Sequence, residues 1–414
     1  VRILLVASGH SVSTIDVFHG YSAALRAAGH EVRDANLHNW YAYHAVALRA
    51  WRWHRLRAAL KRRDWGELRH WAEVLPYASK ARQAIQHRAR IVPEKELIPV
   101  GYLPQMASEQ IGVEIVKHVP DVVIAVCGLA LHKAAFDACW RLGVPMALML
   151  TESPYLDKEQ AHRVCHPAVR LAFVNDKTSV LGLKRELTLV ADNHRATAET
   201  EAGKAQADGM KDAKVAYLPH SFNPEVHYPA EVPGYRTDVY FHGTWWPERR
   251  RLLHPLKRWA RWHHPRWRVR VGGIWAPVGN QTPRGTRSNA TLAEAYRHTR
   301  IALNHHRTVI GVEGGKERHV QAAHSLGPRA FEIAACGAFQ LCDDARPELG
   351  EVFGGSVATY RDADDLRAQV AYWLDPAHEQ EREDRAWASY QRVQGCTFEA
   401  RAREIVAPAL EGIL

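Results

Sequence analysis

Three stretches in the second half of this 414-residue chain carry residue types suited to a phosphorylated ligand. The most specific is Pro328-Arg329-Ala-Phe331-Glu332-Ile-Ala-Ala-Cys336-Gly337. A helix here sets Arg329 and Glu332 at i, i+3, on one face near its N-terminus. Glu332 can then accept from two ribose hydroxyls while Arg329 meets phosphate; an intrahelical ion pair is the competing reading. The second stretch is Phe241-His242-Gly243-Thr244, followed by Pro247-Glu-Arg249-Arg250. A glycine after a strand lets backbone approach a ligand, and the next helix offers N–H groups with Arg249 or Arg250 to a diphosphate. A turn glycine before a surface helix would look the same. The third, Ile301-Ala-Leu-Asn304-His305-His306-Arg307, is a strand end whose polar residues suit a cleft. Its adjacent histidines could begin a metal site, but spacing supplies no third ligand.

The elements that must position these residues read as two α/β series. Ile3–Val6 is a buried strand, Ser8-Gly9-His10-Ser11 a loop, and a helix through Tyr21–Leu25 leads to a strand at Glu31–Arg33. The start is too short an apolar run for a leader and reads as the first strand. The pattern recurs at Asp121–Val126, Gly143–Leu150 and Leu171–Val174. A Pro-punctuated stretch, Asn223–Gly234, separates these from strands at Asp238–Phe241, Arg268–Val271, Ile301–Leu303, Ala338–Leu341 and Ser356–Thr359. The expectation is an α/β protein of two Rossmann-like, doubly wound parallel-sheet domains facing a central cleft. The first spans residues 1–225 and carries a basic helical insertion at about 44–95, read as two or three helices. The second spans 235–385, and a helical segment, 386–414, is expected to pack back toward the first.

Charge narrows the partners. The net charge of +10 is unevenly placed. Residues 49–90 hold twelve Lys/Arg against three acids, and residues 245–270 hold nine against one. Such asymmetry points to anionic partners. In the insertion, Trp53, Leu56 and Leu60 form an apolar stripe beside Arg52, Arg55 and Arg62, and tryptophans interleave with cations through both stretches. No window approaches 18 uninterrupted apolar residues, which excludes a membrane-spanning helix. The six cysteines show no CxxC spacing, so neither a disulfide framework nor a zinc knuckle is indicated, and a cytoplasmic setting is expected.

The Arg-x-Phe-Glu-x-x-x-Cys-Gly segment, the Leu-Asn-x-x-Arg strand end, the strand–Gly–Arg element and Tyr217-Leu-Pro-His220-Ser-Phe-Asn-Pro224 occur in an order that resembles the two-domain GT-B glycosyltransferases, specifically the CgeB-like group. The resemblance covers residues 1–43 weakly and 98–400, best in the second half. It implies sugar transfer from a nucleotide-diphosphate donor, by default UDP-linked, with no cofactor and no metal. By position, Glu332 would hold the ribose, Gly243 with Arg249 or Arg250 the diphosphate, and Arg329 a further phosphate; Asn304 joins this donor set. Many retaining relatives carry a glutamate eight residues earlier, where this chain has His324.

An acceptor hydroxyl must also lose a proton, so a base is wanted on the first-domain side. Glu152, His10 and Asp16 are the candidates. The basic insertion lies outside the resemblance. Its cations, with Arg52, Arg55, Arg62 and Arg63 foremost, fit the phosphates of duplex DNA, and the expected acceptor is a hydroxymethylated base. A cell-envelope, spore-coat or lipid acceptor with peripheral membrane contact is the alternative, and a non-catalytic DNA- or glycan-binding protein the other.

Overall fold

The computed structural model describes residues 1–8, 14–66, 102–152, 161–273, 287–313, 316–319 and 323–414. The first domain is a six-stranded, wholly parallel sheet in the order β2-β1-β3-β4-β5-β6. These are Arg2–Ala7 (β1), Glu31–Asn36 (β2), Val122–Val126 (β3), Met146–Met149 (β4), Val169–Val174 (β5) and Lys214–Tyr217 (β6). Side chains alternate along β1: Leu4 and Val6 enter one buried cluster, while Ile3, Leu5 and Ala7 enter the other. Both faces are therefore covered, which is what an all-parallel sheet requires. Helix α1 (Ile15–Ala27) covers the second face.

The second sheet has five parallel strands in the order β13-β12-β9-β7-β8. They are Thr237–His242 (β7), Val269–Gly272 (β8), Thr299–Asn304 (β9), Gln340–Asp343 (β12) and Ala358–Tyr360 (β13). A separate antiparallel hairpin pairs Val309–Glu313 (β10) with Lys316–His319 (β11). In both main sheets the strand order reverses beside the first strand of the series. Ligands of such sheets sit outside the carboxyl ends at that point.

Two crossings join the domains and are hydrogen-bonded to each other. Phe222 bridges Thr397 in parallel, with Phe222 N–H donating to Cys396 O at 3.2 Å and Phe398 N–H donating to Phe222 O at 3.3 Å. The chain leaves the second domain's cores at Ala386 and Val393. Phe398, Ala402, Val406 and Leu410 then join the cluster that contains Ile3, Leu5 and Tyr21. No described helix is long and apolar enough to cross a membrane.

Two sequence readings are corrected. The insertion begins as one helix, Leu37–Arg62 (α2), that starts directly at the end of β2, where the Asn36 side chain caps His38 N–H. The remainder of the insertion, residues 67–101, lies outside the described residues. Leu60 is 56% exposed and Ala59 is buried, so the expected apolar stripe does not hold at its last member; the Trp53 and Leu56 side chains lie outside the described residues.

Candidate functional site

The two domains enclose a cleft of about 1220 Å³. It is lined by the carboxyl ends of β4, β5 and β6 with α1 on one side, and of β7, β9 and the helix Pro328–Ala335 (α9) on the other. Of the residues singled out from sequence, Asp16, Glu152, Gly243, Arg249, Asn304, Arg329 and Glu332 all line it.

Gly243 follows β7 at a point where backbone is crowded. A Cβ there would lie 2.8 Å from the Arg329 guanidinium and 3.4 Å from that of Arg249. Both guanidinium carbons also sit near the Phe241 ring, 5.6 Å away for Arg249 and 5.2 Å for Arg329. Two cations thus converge beside a bare stretch of backbone. Arg249 is buried at the start of the helix Pro247–His263 (α7). It donates through Nε and Nη2 to His305 O (3.2 and 2.7 Å) and through Nη1 to Thr244 O (3.1 Å). Those acceptors are neutral carbonyls, so its charge is not cancelled. Burial, reinforced by Arg329, lowers its pKa to about 9. Such a pair favours an anion between α7 and α9, whose N-termini add their own positive ends.

Glu332 sits one turn into α9. Burial lifts its carboxyl to about 7; Arg329 opposes the rise and Asp16, from the other domain, adds to it. No ion pair joins Arg329 to Glu332, so the intrahelical alternative does not form. Asp16, in the first turn of α1, is itself raised by burial and partly offset by His19. Asn304 is buried and donates to Gln340 Oε1 at 3.0 Å.

Two expected donor residues face elsewhere. Arg250 is exposed on the outer side of α7 and does not line the cleft. The His324 ring turns to Glu351, 3.1 Å away, and its main-chain N–H donates to Asp176 Oδ2 at 2.9 Å. It holds the domains together rather than facing a sugar. His10 lies outside the described residues, as do the Arg52 and Arg55 side chains; Arg62 and Arg63 are exposed at the end of α2. In the second basic stretch, Trp259 and Trp267 pack against the core, while Trp262 is 77% exposed.

The structure adds residues that sequence reading left without a role. Asn175, Asp176 and His220 follow strands that end at the cleft. Asn175, after β5, donates to Thr151 O at 2.9 Å and lies 3.0 Å from His220 Nε2. Burial lowers His220 to about 4, so the ring is neutral at pH 7. Asp176 accepts from His324 and Ser325 N–H, and Ser325 Oγ–H donates to Tyr217 Oη at 3.1 Å, forming a latch between domains. Glu348 completes the latch, bonded by Tyr217 and by Leu326 N–H. His220 stood in the sequence only as part of the Tyr217–Pro224 motif, and nothing there singled out Asn175 or Asp176.

His306, Cys342 and Asp343 bring potential metal-ligand atoms within 4.8 Å of one another, supplying the third group that spacing lacked. His306 Nδ1, however, lies 3.1 Å from Asp343 Oδ2, and burial holds the Cys342 thiol far above its ordinary value. The group reads as an Asp–His dyad that fixes the strand ends of β9 and β12.

Two Rossmann-like domains facing a cleft in this way constitute the GT-B fold. Residues 235–407 match the family model described as glycosyl transferase-like. No curated protein matches the chain by sequence. Among solved structures it is similar to sucrose-phosphate synthase from Thermosynechococcus elongatus (TM-score 0.55, 11% identity, 99% of each chain). It is also similar to the trehalose-6-phosphate synthase OtsA (0.56, 12%, 99% of each). A third similar structure is Anabaena HepE in complex with UDP and glucose (0.54, 12%, 100% of each). The chain shares the fold of these structures, the GT-B fold.

Proposed function

We propose that the protein transfers a sugar from a nucleotide-diphosphate donor, UDP-linked, to a hydroxyl acceptor. The observation that carries this is the convergence of Arg249 and Arg329 on Gly243, one helical turn from Glu332, at the carboxyl ends of the second sheet. The diphosphate lies against the two cations and the ribose hydroxyls donate to Glu332. As the glycosidic bond breaks, negative charge grows on the departing diphosphate. Arg249, fixed by three hydrogen bonds to two main-chain carbonyls, is already in place to meet it. Glu152 and Asp16 face the donor from the other wall and are the groups placed to take the acceptor proton. The UDP ligand of HepE supports the choice of nucleotide.

The finer reading keeps the motif order of the CgeB-like enzymes and a hydroxymethylated base in duplex DNA as acceptor. Its support is the set of exposed cations outside the cleft: Arg62 and Arg63 on α2, and Arg250, Arg258 and Arg261 on α7. They could hold phosphates outside while an extruded base enters. Incubating the protein with a panel of nucleotide sugars tests the reading. Thermal stabilisation and slow release of free nucleotide are expected with at least one UDP-sugar. No shift and no hydrolysis with any donor would sink it. Mass spectrometry of hydroxymethylated DNA treated with the productive donor then tests the acceptor.

A further inference from the structure

The turn that leads into α9 is held by carboxylates from both domains. Three consecutive main-chain N–H groups donate there: His324 and Ser325 to Asp176 Oδ2 (2.9 and 3.3 Å), and Leu326 to Glu348 Oε2 (2.6 Å). Glu348 belongs to the second domain, but Asp176 follows β5 of the first. The next residue of the first domain adds a bond, Lys177 N–H donating to Ser325 Oγ at 3.1 Å. Buried Arg346 ties the same turn to the loop after β9, through Nη1 to Ala323 O (2.7 Å) and Nη2 to Arg307 O (2.8 Å). Burial lowers the pKa of Arg346, and the carboxylates of Asp343 and Asp176 oppose the fall. Helix α9 begins at Pro328, just beyond this turn, and carries Arg329 and Glu332.

The two oxygens of the buried Asp176 carboxylate have separate tasks. Oδ1 accepts from Thr178 N–H (3.1 Å) and Thr178 Oγ1–H (2.8 Å), which turns the chain into the helix Ser179–Thr197 (α5). These local bonds orient the side chain and leave Oδ2 aimed at the second domain. Hydrogen bonds to an ionised carboxylate are about twice as strong as neutral ones. A buried turn that lost them would have to rearrange to satisfy its N–H groups, and the start of α9 would move with it.

Resting on the transferase reading, we infer that Asp176 is a positioning residue for the donor: from the first domain it sets the turn into α9, and with it the places of Arg329 and Glu332. Asp176 acts through the turn rather than on the ligand. The donor site is thus completed across the boundary between domains, and UDP binding is coupled to a contact made outside the domain that holds it.

The test compares Asp176→Asn with Asp176→Ala in the full-length protein, by calorimetric titration of UDP and by thermal melting without it. An asparagine side chain can keep its oxygen on Thr178, but it then points an NH₂ group at the N–H groups of His324 and Ser325. Alanine loses both halves. The melting temperature should therefore be highest in the parent, intermediate in Asp176→Asn and lowest in Asp176→Ala. UDP affinity should instead fall by about 10-fold or more in both variants. A merely structural role would make affinity follow stability, with Asp176→Asn the milder change in both measurements. That pattern would overturn the inference, as would an affinity of Asp176→Asn within about twofold of the parent. Absence of UDP binding by the parent would instead sink the transferase reading, so the two failures are separable.

Discussion

At the scale of single residues, the two arginines of the donor wall have different work to do. Arg249 is buried, and its guanidinium ties the loop after β7 to the end of β9. Arg329 lies beside it without that set of main-chain bonds. Arg249→Met should therefore lower stability by roughly 2–4 kcal/mol, because three carbonyl contacts are lost in the interior. Arg329→Ala should leave the melting temperature nearly unchanged yet reduce kcat/KM for the donor by about 100-fold or more. Chemical denaturation alongside steady-state kinetics checks the split. Glu332 makes a second, pH-dependent case. Its carboxyl must be ionised to accept from ribose hydroxyls, and its value of about 7 means that donor KM rises as pH falls below neutrality. Stability runs the other way. The folded protein keeps this proton where the unfolded chain, at the ordinary 4.5, has lost it. Stability therefore declines as pH rises from about 4.5 to about 7. Glu332→Gln should abolish both trends, with donor binding weak at every pH; pH profiles that match the parent protein would refute the assignment.

Elements decide what could be read beforehand. The central parallel strands were legible because they are buried on both faces, and β1, β3 and β4 are near-continuous apolar runs. Strand β6, Lys-Val-Ala-Tyr, was not: it is the edge of its sheet and only partly buried, so its apolar signal is weak. The donor residues on α9 and after β7 were legible because glycine, arginine and glutamate follow strand-helix boundaries. The first-domain side of the cleft was not, since Asn175 and Asp176 follow β5 while His220 follows β6, some 45 residues later, and they gain meaning only when β5 and β6 pair. His324 shows the opposite failure. Its spacing from Glu332 placed it in the donor site, but the latch to Asp176 and Glu351 turns its ring away. One close approach was legible in neither way. Gly273, with φ +132°, packs so tightly against the β7 loop that a Cβ would lie 1.9 Å from Gly243 O. Gly273→Ala must push the loop that carries Gly243 aside. The expected cost is about 2–4 kcal/mol of stability from strain and overpacking, with weaker UDP binding in whatever remains folded. Calorimetric titration of UDP into the variant measures the second effect directly.

For the whole molecule, the net charge of +10 conceals three separate fields. One is the arginine wall, inside the cleft and directed at a diphosphate. Another is the set of carboxylates on the facing side of the cleft, Asp16, Glu152, Asp176, Glu225 and Glu399. The last is spread over exposed cations at the end of α2 and along α7, which do not line the cleft. These fields should answer differently to salt. Contacts on the outer surface are made with condensed counterions around a polyanion, and their strength falls steeply as salt competes. The cleft cations meet a small ligand at distances shorter than the Debye length of about 8 Å at physiological ionic strength, and Arg249 is buried besides. If the outer cations bind duplex DNA through several phosphates, affinity for an unmodified duplex should fall by roughly 10³-fold between 50 and 200 mM salt. Over the same range UDP affinity should change by less than about tenfold. Replacing Arg62, Arg63, Arg258 and Arg261 together by glutamine should flatten the duplex slope while leaving UDP binding intact. Parallel salt titrations of the parent and this variant, read by fluorescence anisotropy for DNA and calorimetry for UDP, decide the matter. Parallel loss of both ligands would mean that duplex and donor compete for one site. A flat duplex slope in the parent would remove the charge argument for a nucleic-acid acceptor.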